Sequence, residues 1–402
     1  MPSSSPLVPM DITPGSRDAA AVTRLINHAF AGTADGTARW LSLAGAQNVR
    51  VTRSPSGEPA SCLLLIPMGQ FFGGRSVPML GVAAVAVAPE ERGKGHAKHM
   101  MQAFVRDSAA QPGGPPIAAL YASTHSLYRA VGFEHSGYRF HYTVPLVRID
   151  QRNRDGDIVS LAGTSNDELK PVYDAFARRF DGQLDRGPYI WSRVRAFRDT
   201  EYHGFGVKQS DGSLGGYVFL HQDRKSHGRH DISLSDFVFT SPEVGRRLWG
   251  FLADFAMMGE DLSFHGGPTH PALTLLGQQR YKVECRDYWM IRILDVKRAL
   301  EARGYSPAVR ATVHFDLTDD LVPVNAGRWT LTVAEGRANV VRAGSSGGAA
   351  IRCDIRGLAS LYSGFLTPLQ AKLVGLADGD DATLEAASAV FQGGTPWMSD
   401  MF

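Results

Sequence analysis

The first 145 residues alternate between short apolar runs and stretches whose apolar residues recur every three or four positions. Runs of this length are typical of strands, and the longer period is typical of amphipathic helices. The predicted strands span residues 8–12, 48–52, 62–72, 77–87, 117–121 and 140–144. The predicted helices span residues 19–30, 38–43, 97–109 and 123–131. This order of elements predicts an α/β (α+β) fold.

A polar segment, residues 148–160, separates this region from a second one in which part of the same order returns. The elements predicted there span residues 231–239, 246–258, 262–264, 271–276 and 288–294. From residue 312 the pattern changes to four strand-like segments followed by three short helices. The pattern therefore predicts three domains, over residues 1–148, 149–293 and 294–402.

Composition narrows the class of protein. Charged residues make up 20% of the chain and the formal net charge is +2, which predicts no nucleic-acid partner and no membrane partner. The first 15 residues lack both the basic residues and the apolar core of a signal peptide, and no apolar run approaches a membrane span. We expect a cytoplasmic protein, with leaderless export left open. Cys62, Cys285 and Cys353 fit neither a disulfide framework nor a zinc site, so each is predicted to be a small buried residue.

Histidines raise the question of a metal site. The candidates are His96, His99, His125, His135 and His141. No H-x-x-x-H pair with a carboxylate partner lies on one predicted helix, and that is the spacing a helical zinc site needs. We therefore expect no metal.

The junction between the strand over residues 77–87 and the next helix carries the strongest chemical signal. Residues 92–97 read RGKGHA. Glycines and a small alanine let successive backbone N–H groups converge on one point, and a helix N-terminus attracts anions. Arg92 and Lys94 add positive charge that suits phosphate. The pattern indicates a diphosphate site; the alternative is a glycine turn that only connects strand to helix.

The form R-x-x-G-x-A after a V-A-V strand resembles the acetyl-CoA site of the GNAT superfamily of N-acetyltransferases, and the order of elements matches that fold. The resemblance implies that the strand splays from its neighbour and that its backbone holds the pantetheine arm of acetyl-CoA. It also implies that residues 93–98 hold the pyrophosphate. The residues assigned to acetyl-CoA are Val85, Ala86, Val87, Arg92, Gly93, Lys94, Gly95, His96, Ala97, Lys98, Ser123 and Thr124.

A second motif lies at residues 127–133, LYRAVGF, which resembles the L-Y-x-x-x-G-F signature of the same superfamily. The resemblance implies that the Tyr128 hydroxyl lies near the thioester sulfur. A phenol, with a reference pKa near ~10, can protonate the thiolate that leaves when an amine attacks acetyl-CoA. The alternative is a core tyrosine that only packs on the sheet.

Two acetyltransferase-like regions followed by a sterol-carrier-like region resemble the Eis family of N-acetyltransferases over nearly the whole chain. The match is carried by residues 85–97, 119–133 and 289–305. The second copy has SPEVGRR at residues 241–247, without paired small residues, so it is predicted to bind no coenzyme A. The resemblance implies acetylation of aminoglycoside or related amines, and a homo-hexamer. Acetylation of protein lysines and a non-catalytic lipid carrier remain the alternatives.

The chain ends with the apolar segment WMSDMF, residues 397–402, whereas a solvated tail is usually polar. The resemblance implies that the Phe402 carboxylate is threaded back into the first domain and acts as the base. The alternative is a tail that only packs on the third domain. The resemblance also places an acceptor pocket at Phe30, Trp40, Met68, Ala84 and Met401, each of which could instead be core. Asp35 or Asp400 would supply the acidic group that attracts a cationic acceptor.

Overall fold

The computed structural model describes residues 6–11, 13, 16–344 and 348–402, and the chain forms two compact units. The first unit holds the described residues up to Ser136 together with residues 288–394 and Phe402. The second unit holds residues 137–287 and 395–401. None of the helices in the described ranges has the length and hydropathy that a membrane crossing needs.

The strands are β1 (Val8–Pro9), β2 (Val49–Arg53), β3 (Pro59–Phe72), β4 (Arg75–Val87), β5 (Ile117–Tyr121), β6 (Glu134–Pro145), β7 (Asp157–Ser160), β8 (Leu184–Asp185), β9 (Ala196–Phe197), β10 (Thr200–Glu201), β11 (His203–Lys208), β12 (Leu214–Arg224), β13 (His230–Phe239), β14 (Gly259–Gly266), β15 (Lys282–Ile293), β16 (Ala311–Thr318), β17 (Gly327–Ala334), β18 (Arg337–Arg342), β19 (Ile351–Asp354) and β20 (Ala377–Asp378). The α-helices are α1 (Arg17–Phe30), α2 (Ala34–Ala44), α3 (His96–Ala110), α4 (His125–Arg129), α5 (Asn166–Ala177), α6 (Pro188–Arg195), α7 (Pro242–Ala253), α8 (Pro271–Thr274), α9 (Val296–Ala302), α10 (Ile355–Ser363), α11 (Pro368–Leu373) and α12 (Asp381–Phe391).

The first unit contains a sheet in the order β1-β2-β3-β4-β5-β15. β3 and β4 form an antiparallel hairpin that turns at Gly73 and Gly74, whose φ angles are 55° and 77°. β5 runs parallel to β4 and antiparallel to β15. Helix α3 buries one apolar face in the core of this unit, as its periodicity predicts. That core includes Met100, Met101, Phe104, Val105, Leu63, Leu80, Val82 and Leu120.

A second sheet of the first unit runs in the order β18-β17-β16-β19-β20 and carries α10 to α12 after its strands. Two sets of contacts join this region to the first sheet. The buried Glu134 carboxylate accepts hydrogen bonds from Arg129 at 2.7 Å and Arg356 at 3.0 Å. The Gly304 N–H donates to the Phe72 carbonyl at 2.9 Å, so the end of α9 is bonded to the β3–β4 hairpin.

The second unit has its own sheet, in the order β6-β14-β13-β12-β11-β7. β13 and β14 are parallel and the other neighbours are antiparallel. Its helix α5 begins with a capping box, in which Ser165 and Glu168 satisfy each other's backbone N–H groups. Tyr173 and Phe176 lie on the buried face of that helix.

The observed elements confirm some of the sequence predictions and correct others. The strand Ile117–Tyr121 and the helix Ile355–Ser363 have the predicted bounds. The predicted strand over residues 8–12 is confirmed only at Val8–Pro9, and Ile12 lies outside the described residues. Cys62 is buried, but the prediction was wrong for Cys285, which is exposed because the first half of β15 faces solvent.

Candidate active site

A bulge interrupts β4 where it passes the centre of the first unit. The register with β3 shifts there, so that Ala84 and Val85 face the single residue Leu63. Ala84 has a φ of 50°, a left-handed conformation that a residue with a Cβ rarely adopts. Pairing between β4 and β5 ends at Gly81 and Ala119. The two parallel strands therefore part beyond Gly81, and the bulge changes the direction of the β4 backbone along the resulting cleft.

The turn that follows β4 presents backbone N–H groups. Gly93 and Gly95 have φ angles of 77° and 86°, and α3 begins directly after them at His96. Among the described residues, no side chain caps the first turn of α3. The N–H groups of that turn, together with the helix dipole, make a site that favours an anion.

Charged side chains surround this turn. Glu91 bonds both Lys94, at 3.1 Å, and His96, at 3.0 Å. The hydrogen bond from Lys94 is the main cause that lowers the pKa of the Glu91 carboxyl. Arg92 and Lys98 are exposed beside them. The turn therefore carries three exposed cationic side chains, which a ligand can reach, and Glu91 binds one of them, Lys94.

Tyr128 lies on α4, the short helix after β5, and its ring joins the core of the first unit with 4% of its surface exposed. Burial raises the pKa of its phenol, and a hydrogen bond with the Ser123 side chain partly opposes that rise. The phenol is therefore protonated at neutral pH and can donate. Ser123 and Thr124 are exposed in the loop between β5 and α4.

Phe402 is buried at the point where β4 and β5 part. Its ring lies 5.7 Å from the Tyr121 ring, measured between centroids, in an edge-to-face arrangement. A Cβ added to Gly81 would come within 2.9 Å of the Phe402 ring and 2.6 Å of the Met68 terminal methyl. The fold therefore brings together Phe402, Met68, Gly81 and Tyr121. Gly81 and Tyr121 were not among the residues assigned from the sequence, and only their register places them here.

The residues that precede Phe402 are docked within the second unit. The N–H groups of Trp397 and Met398 donate to the carbonyls of Asp181 and Tyr138 at 3.0 and 3.1 Å. Gln183 donates to the Trp397 carbonyl at 2.8 Å. The sequence left open a tail that packs on the third domain, residues 294–402. Instead residues 395–401 belong to the unit formed by residues 137–287.

The five residues predicted for the acceptor pocket have different surroundings. Met68 is half-buried and contacts the Phe402 region, and Ala84 forms the bulge. Trp40 is half-buried on α2. Phe30 and Met401 are 54% and 40% exposed.

The two acids that the sequence offered for a cationic acceptor also differ. Asp35 is exposed in the first turn of α2. Asp400 is buried, and its carboxylate accepts a hydrogen bond from Arg186 at 3.0 Å. Since that carboxylate is buried and shares the Arg186 guanidinium with Asp236, it is not open to an incoming cation, and the prediction that Asp400 attracts the acceptor is wrong.

Within the described residues, no cluster of histidine, cysteine and acidic side chains has the geometry of a metal site. His125 and His135 lie edge to face with ring centroids 4.7 Å apart, and burial is the main cause that lowers the pKa of His135. Burial therefore favours the uncharged form of the His135 ring.

A bulged strand that parts from its parallel neighbour, followed by a glycine turn onto a helix N-terminus, defines the class of GCN5-related N-acetyltransferases, or GNAT proteins. Family models agree: residues 13–136 and 182–293 each match an acetyltransferase (GNAT) domain, and residues 296–399 match a sterol carrier protein domain. These matches confirm the predicted fold class, two acetyltransferase-like regions and a sterol-carrier-like region.

Comparisons of the whole chain with known proteins agree with these domain matches. The crystal structure of a GCN5-related N-acetyltransferase from Anabaena variabilis is 31% identical, with a TM-score of 0.90 over 97% of this chain and 99% of that one. The N-acetyltransferase Eis of Mycobacterium tuberculosis is 27% identical over 83% of this chain and 84% of its own. An uncharacterised N-acetyltransferase of Streptomyces griseus is 27% identical over 82% and 83%. The chain belongs to the GCN5-related N-acetyltransferases, and it is an acetyl-CoA-dependent N-acetyltransferase that is similar to Eis over most of its length.

Proposed function

We propose that this enzyme transfers the acetyl group of acetyl-CoA to an amine of an aminoglycoside-type or related amine-bearing antibiotic. One observation carries the proposal: Phe402 is buried against Gly81, where β4 and β5 part. A terminal carboxylate delivered to the mouth of this cleft can take a proton from an attacking amine. The Eis relative is named only as an N-acetyltransferase, so the class of acceptor is our inference from the resemblance.

Acetyl-CoA is assigned to the cleft and the glycine turn. The backbone of Val85, Ala86 and Val87, which runs from the bulge to the end of β4, faces the gap left by β5 and suits the amides of the pantetheine arm. The turn from Arg92 to Lys98 supplies N–H groups and cations for the pyrophosphate. Ser123 and Thr124, exposed between β5 and α4, complete the set. The thioester then lies between the turn and the Phe402 end of the cleft.

The reaction needs one base and one acid. The acceptor nitrogen attacks the thioester carbonyl carbon, so that an N–C bond forms and the C–S bond breaks. The sulfur leaves as the coenzyme A thiolate and takes the proton of the Tyr128 hydroxyl. The proton lost by the acceptor nitrogen goes to the Phe402 carboxylate, directly or through one water. Tyr128 suits its role because burial keeps the phenol protonated.

The acceptor pocket is assigned to Phe30, Trp40, Met68, Ala84 and Met401. Asp400 is bound by Arg186, so Asp35 is the acid that remains for an incoming cation. We infer that the enzyme acts without a metal, in the cytoplasm, as a homo-hexamer of three-domain chains divided near residues 148 and 293. Leu373 and Val374, 85% and 59% exposed, are apolar surface that such an assembly would cover.

The test measures thiol release from acetyl-CoA with two panels of acceptors. Kanamycin and other amine-bearing antibiotics form one panel, and lysine-containing peptides form the other. The proposal expects turnover with the first panel; turnover confined to peptides would show a protein lysine acetyltransferase instead.

The variant Tyr128→Phe tests the acid. We expect kcat to fall by about 10²–10⁴-fold, the usual range for general acid–base catalysis, with little change in acetyl-CoA affinity. Tyr305→Phe is the matched control, since Tyr305 is a buried phenol of the same unit that donates to the Leu300 carbonyl at 2.7 Å. Equal losses of kcat and affinity in Tyr128→Phe would assign that residue to packing.

A further inference from the structure

The second unit repeats the backbone plan of the acetyl-CoA cleft. β13 corresponds to β4, and its register with β12 shifts so that Ser235 is the extra residue of a bulge. β13 runs parallel to β14, as β4 does to β5, and their pairing ends at Ser233 and Ser263. A bulge followed by the parting of two parallel strands therefore occurs in both units.

In the second unit, Trp397 and Ser399 of the tail line one cavity with residues of β13 and β14. Trp397 pairs with Tyr138 of β6 as a parallel bridge, and Arg139 donates to the Ser399 carbonyl at 3.0 Å. The cavity has a volume of about 10 Å³, the room of a single water. The residues that line it are Tyr173, Phe176, Leu234, Ser235, Asp236, Phe237, Phe264, His265, His270, Trp397 and Ser399. This list includes the bulge, the ends of both parting strands and the tail.

The fit of Trp397 is close. Its indole is 2% exposed and lies 5.2 Å from the rings of both Phe180 and His270. A Cβ added to Gly267 would lie 2.2 Å from the indole, so only glycine leaves room for this side chain. Burial lowers the pKa of His270 to about 3, which keeps its ring neutral beside the indole.

A buried charge cluster holds the next part of the tail. Arg186 is fully buried and bonds Asp236, next to the bulge, at 2.6 and 3.1 Å. The same guanidinium bonds Asp400 at 3.0 Å and lies 3.8 Å from the centre of the Tyr173 ring. One guanidinium therefore serves two buried carboxylates, and loss of the Asp400 side chain would leave the Arg186 Nε–H group without this acceptor. Asp400 is therefore fixed in position by Arg186.

We propose that the second acetyltransferase-like unit is a receptor for the chain's own C-terminal segment, with Arg186 and Asp400 as positioning residues for the Phe402 carboxylate. Trp397 and Ser399 line the gap that corresponds to the one assigned to the coenzyme arm in the first unit. Two residues of extended chain span about 7 Å, so fixing Asp400 fixes the reach of Phe402 to that length. The inference rests on the proposed function for the role of Phe402, but the docking itself does not.

The experiment compares two full-length variants with a matched control. Asp400→Ala removes the oxygen that accepts from Arg186, and Gly267→Ala pushes a methyl group into the Trp397 indole. Asp254→Ala is the control, since Asp254 forms an exposed ion pair with Arg154 in the same unit. Hydrogen exchange is measured on the C-terminal peptide, whose Trp397 and Met398 N–H groups are bonded in the docked state. Steady-state kinetics and acetyl-CoA affinity are measured in parallel.

We expect both variants, but not Asp254→Ala, to speed exchange at Trp397 and Met398 and to lower kcat by about 10²-fold, as small misplacements of a catalytic group do. Acetyl-CoA affinity stays unchanged, and deleting Phe402 from the Asp400→Ala variant causes no further loss of kcat. Unchanged exchange in both variants would overturn the receptor role. Faster exchange with full kcat, or losses that add to those of the deletion, would overturn the positioning role. A Phe402 deletion that leaves the wild-type kcat intact refutes the proposed base by itself, and the exchange result then decides the docking alone.

Discussion

The segment from β4 to α3 and the segment from β13 to α7 share a backbone plan, but they differ in whether a side chain caps the helix N-terminus. After β4, the helix α3 starts behind Gly95 with its first N–H groups uncapped by side chains of the described residues. After β13, the helix α7 starts behind Ser241, whose side chain accepts from the Val244 N–H, and Pro242 fills its first position. A capped helix has satisfied its own donors and has fewer to offer an anion.

The segments that follow the next strand also differ. In the first unit, α4 carries Tyr128 behind β5. In the second unit, α8 behind β14 is Pro-Ala-Leu-Thr and carries no phenol. The comparison teaches that a bulge and two parting strands make only a gap. The turn residues and one side chain decide whether the gap serves a coenzyme or, as we propose for the second unit, a peptide.

Removing Phe402 is the change with the largest expected effect, because only the first cleft is proposed to need a base. Deletion should lower kcat by about 10²–10⁴-fold and leave acetyl-CoA affinity unchanged, as judged by steady-state kinetics and calorimetry. Phe402→Leu keeps the terminal carboxylate and much of the apolar volume, so its kcat should fall by less than about tenfold. Similar losses in both variants would assign the effect to the ring rather than to the carboxylate.

Gly93→Ala tests the turn that distinguishes the two helix starts. The φ of 77° at Gly93 strains any residue with a Cβ by about 1–2 kcal/mol, so the turn must shift its N–H groups. We expect acetyl-CoA to bind about tenfold more weakly in calorimetry, which corresponds to 1.4 kcal/mol. Gly113→Ala is the control, since Gly113 has a φ of 71° and equally open space beyond α3. Equal acetyl-CoA affinity in the two variants would contradict a role for the turn.

The pH dependence of kcat tests the phenol that the second unit lacks. Burial raises the pKa of Tyr128 above its ordinary value, and the acid must be protonated to donate. Activity should therefore be kept up to the ordinary tyrosine range, near pH ~10, and should fall only above it. Ser123→Ala removes the hydrogen bond that lowers this pKa, so the fall should move to higher pH. A fall that moves to lower pH in this variant would argue against Tyr128 as the acid.

Ser241→Ala should have the smallest effect. Loss of an N-cap costs about 1 kcal/mol of stability, which thermal unfolding can measure, with kcat unchanged. Ser241→Gly should cost only a few tenths of a kcal/mol. In both variants the calorimetric stoichiometry should stay at one acetyl-CoA per chain, because uncapping alone does not empty the second gap. A second bound acetyl-CoA would show that the cap, rather than the tail, keeps coenzyme out.

Elements with strong local signals could be predicted from the sequence. The helix Ile355–Ser363 begins at an Asp354 cap and ends at Gly364 with a φ of 78°, and both signals are visible in the sequence. The helices Asn166–Ala177 and Pro188–Arg195 were not predicted, although a Ser-x-x-Glu capping box opens the first of them. The proline inside that first helix and the short apolar stripe of the second weaken the periodic signal.

The sequence by itself determined the family, the two acetyltransferase-like regions and the candidate turn at residues 92–97, because those features depend on neighbours within a few positions of the chain. Only the tertiary structure decided that Phe402 meets Gly81 and Tyr121, and that Asp400 is bound by Arg186 and so is unavailable to an acceptor. These partners are separated by more than 200 residues, and register and burial, which no local pattern encodes, bring them together.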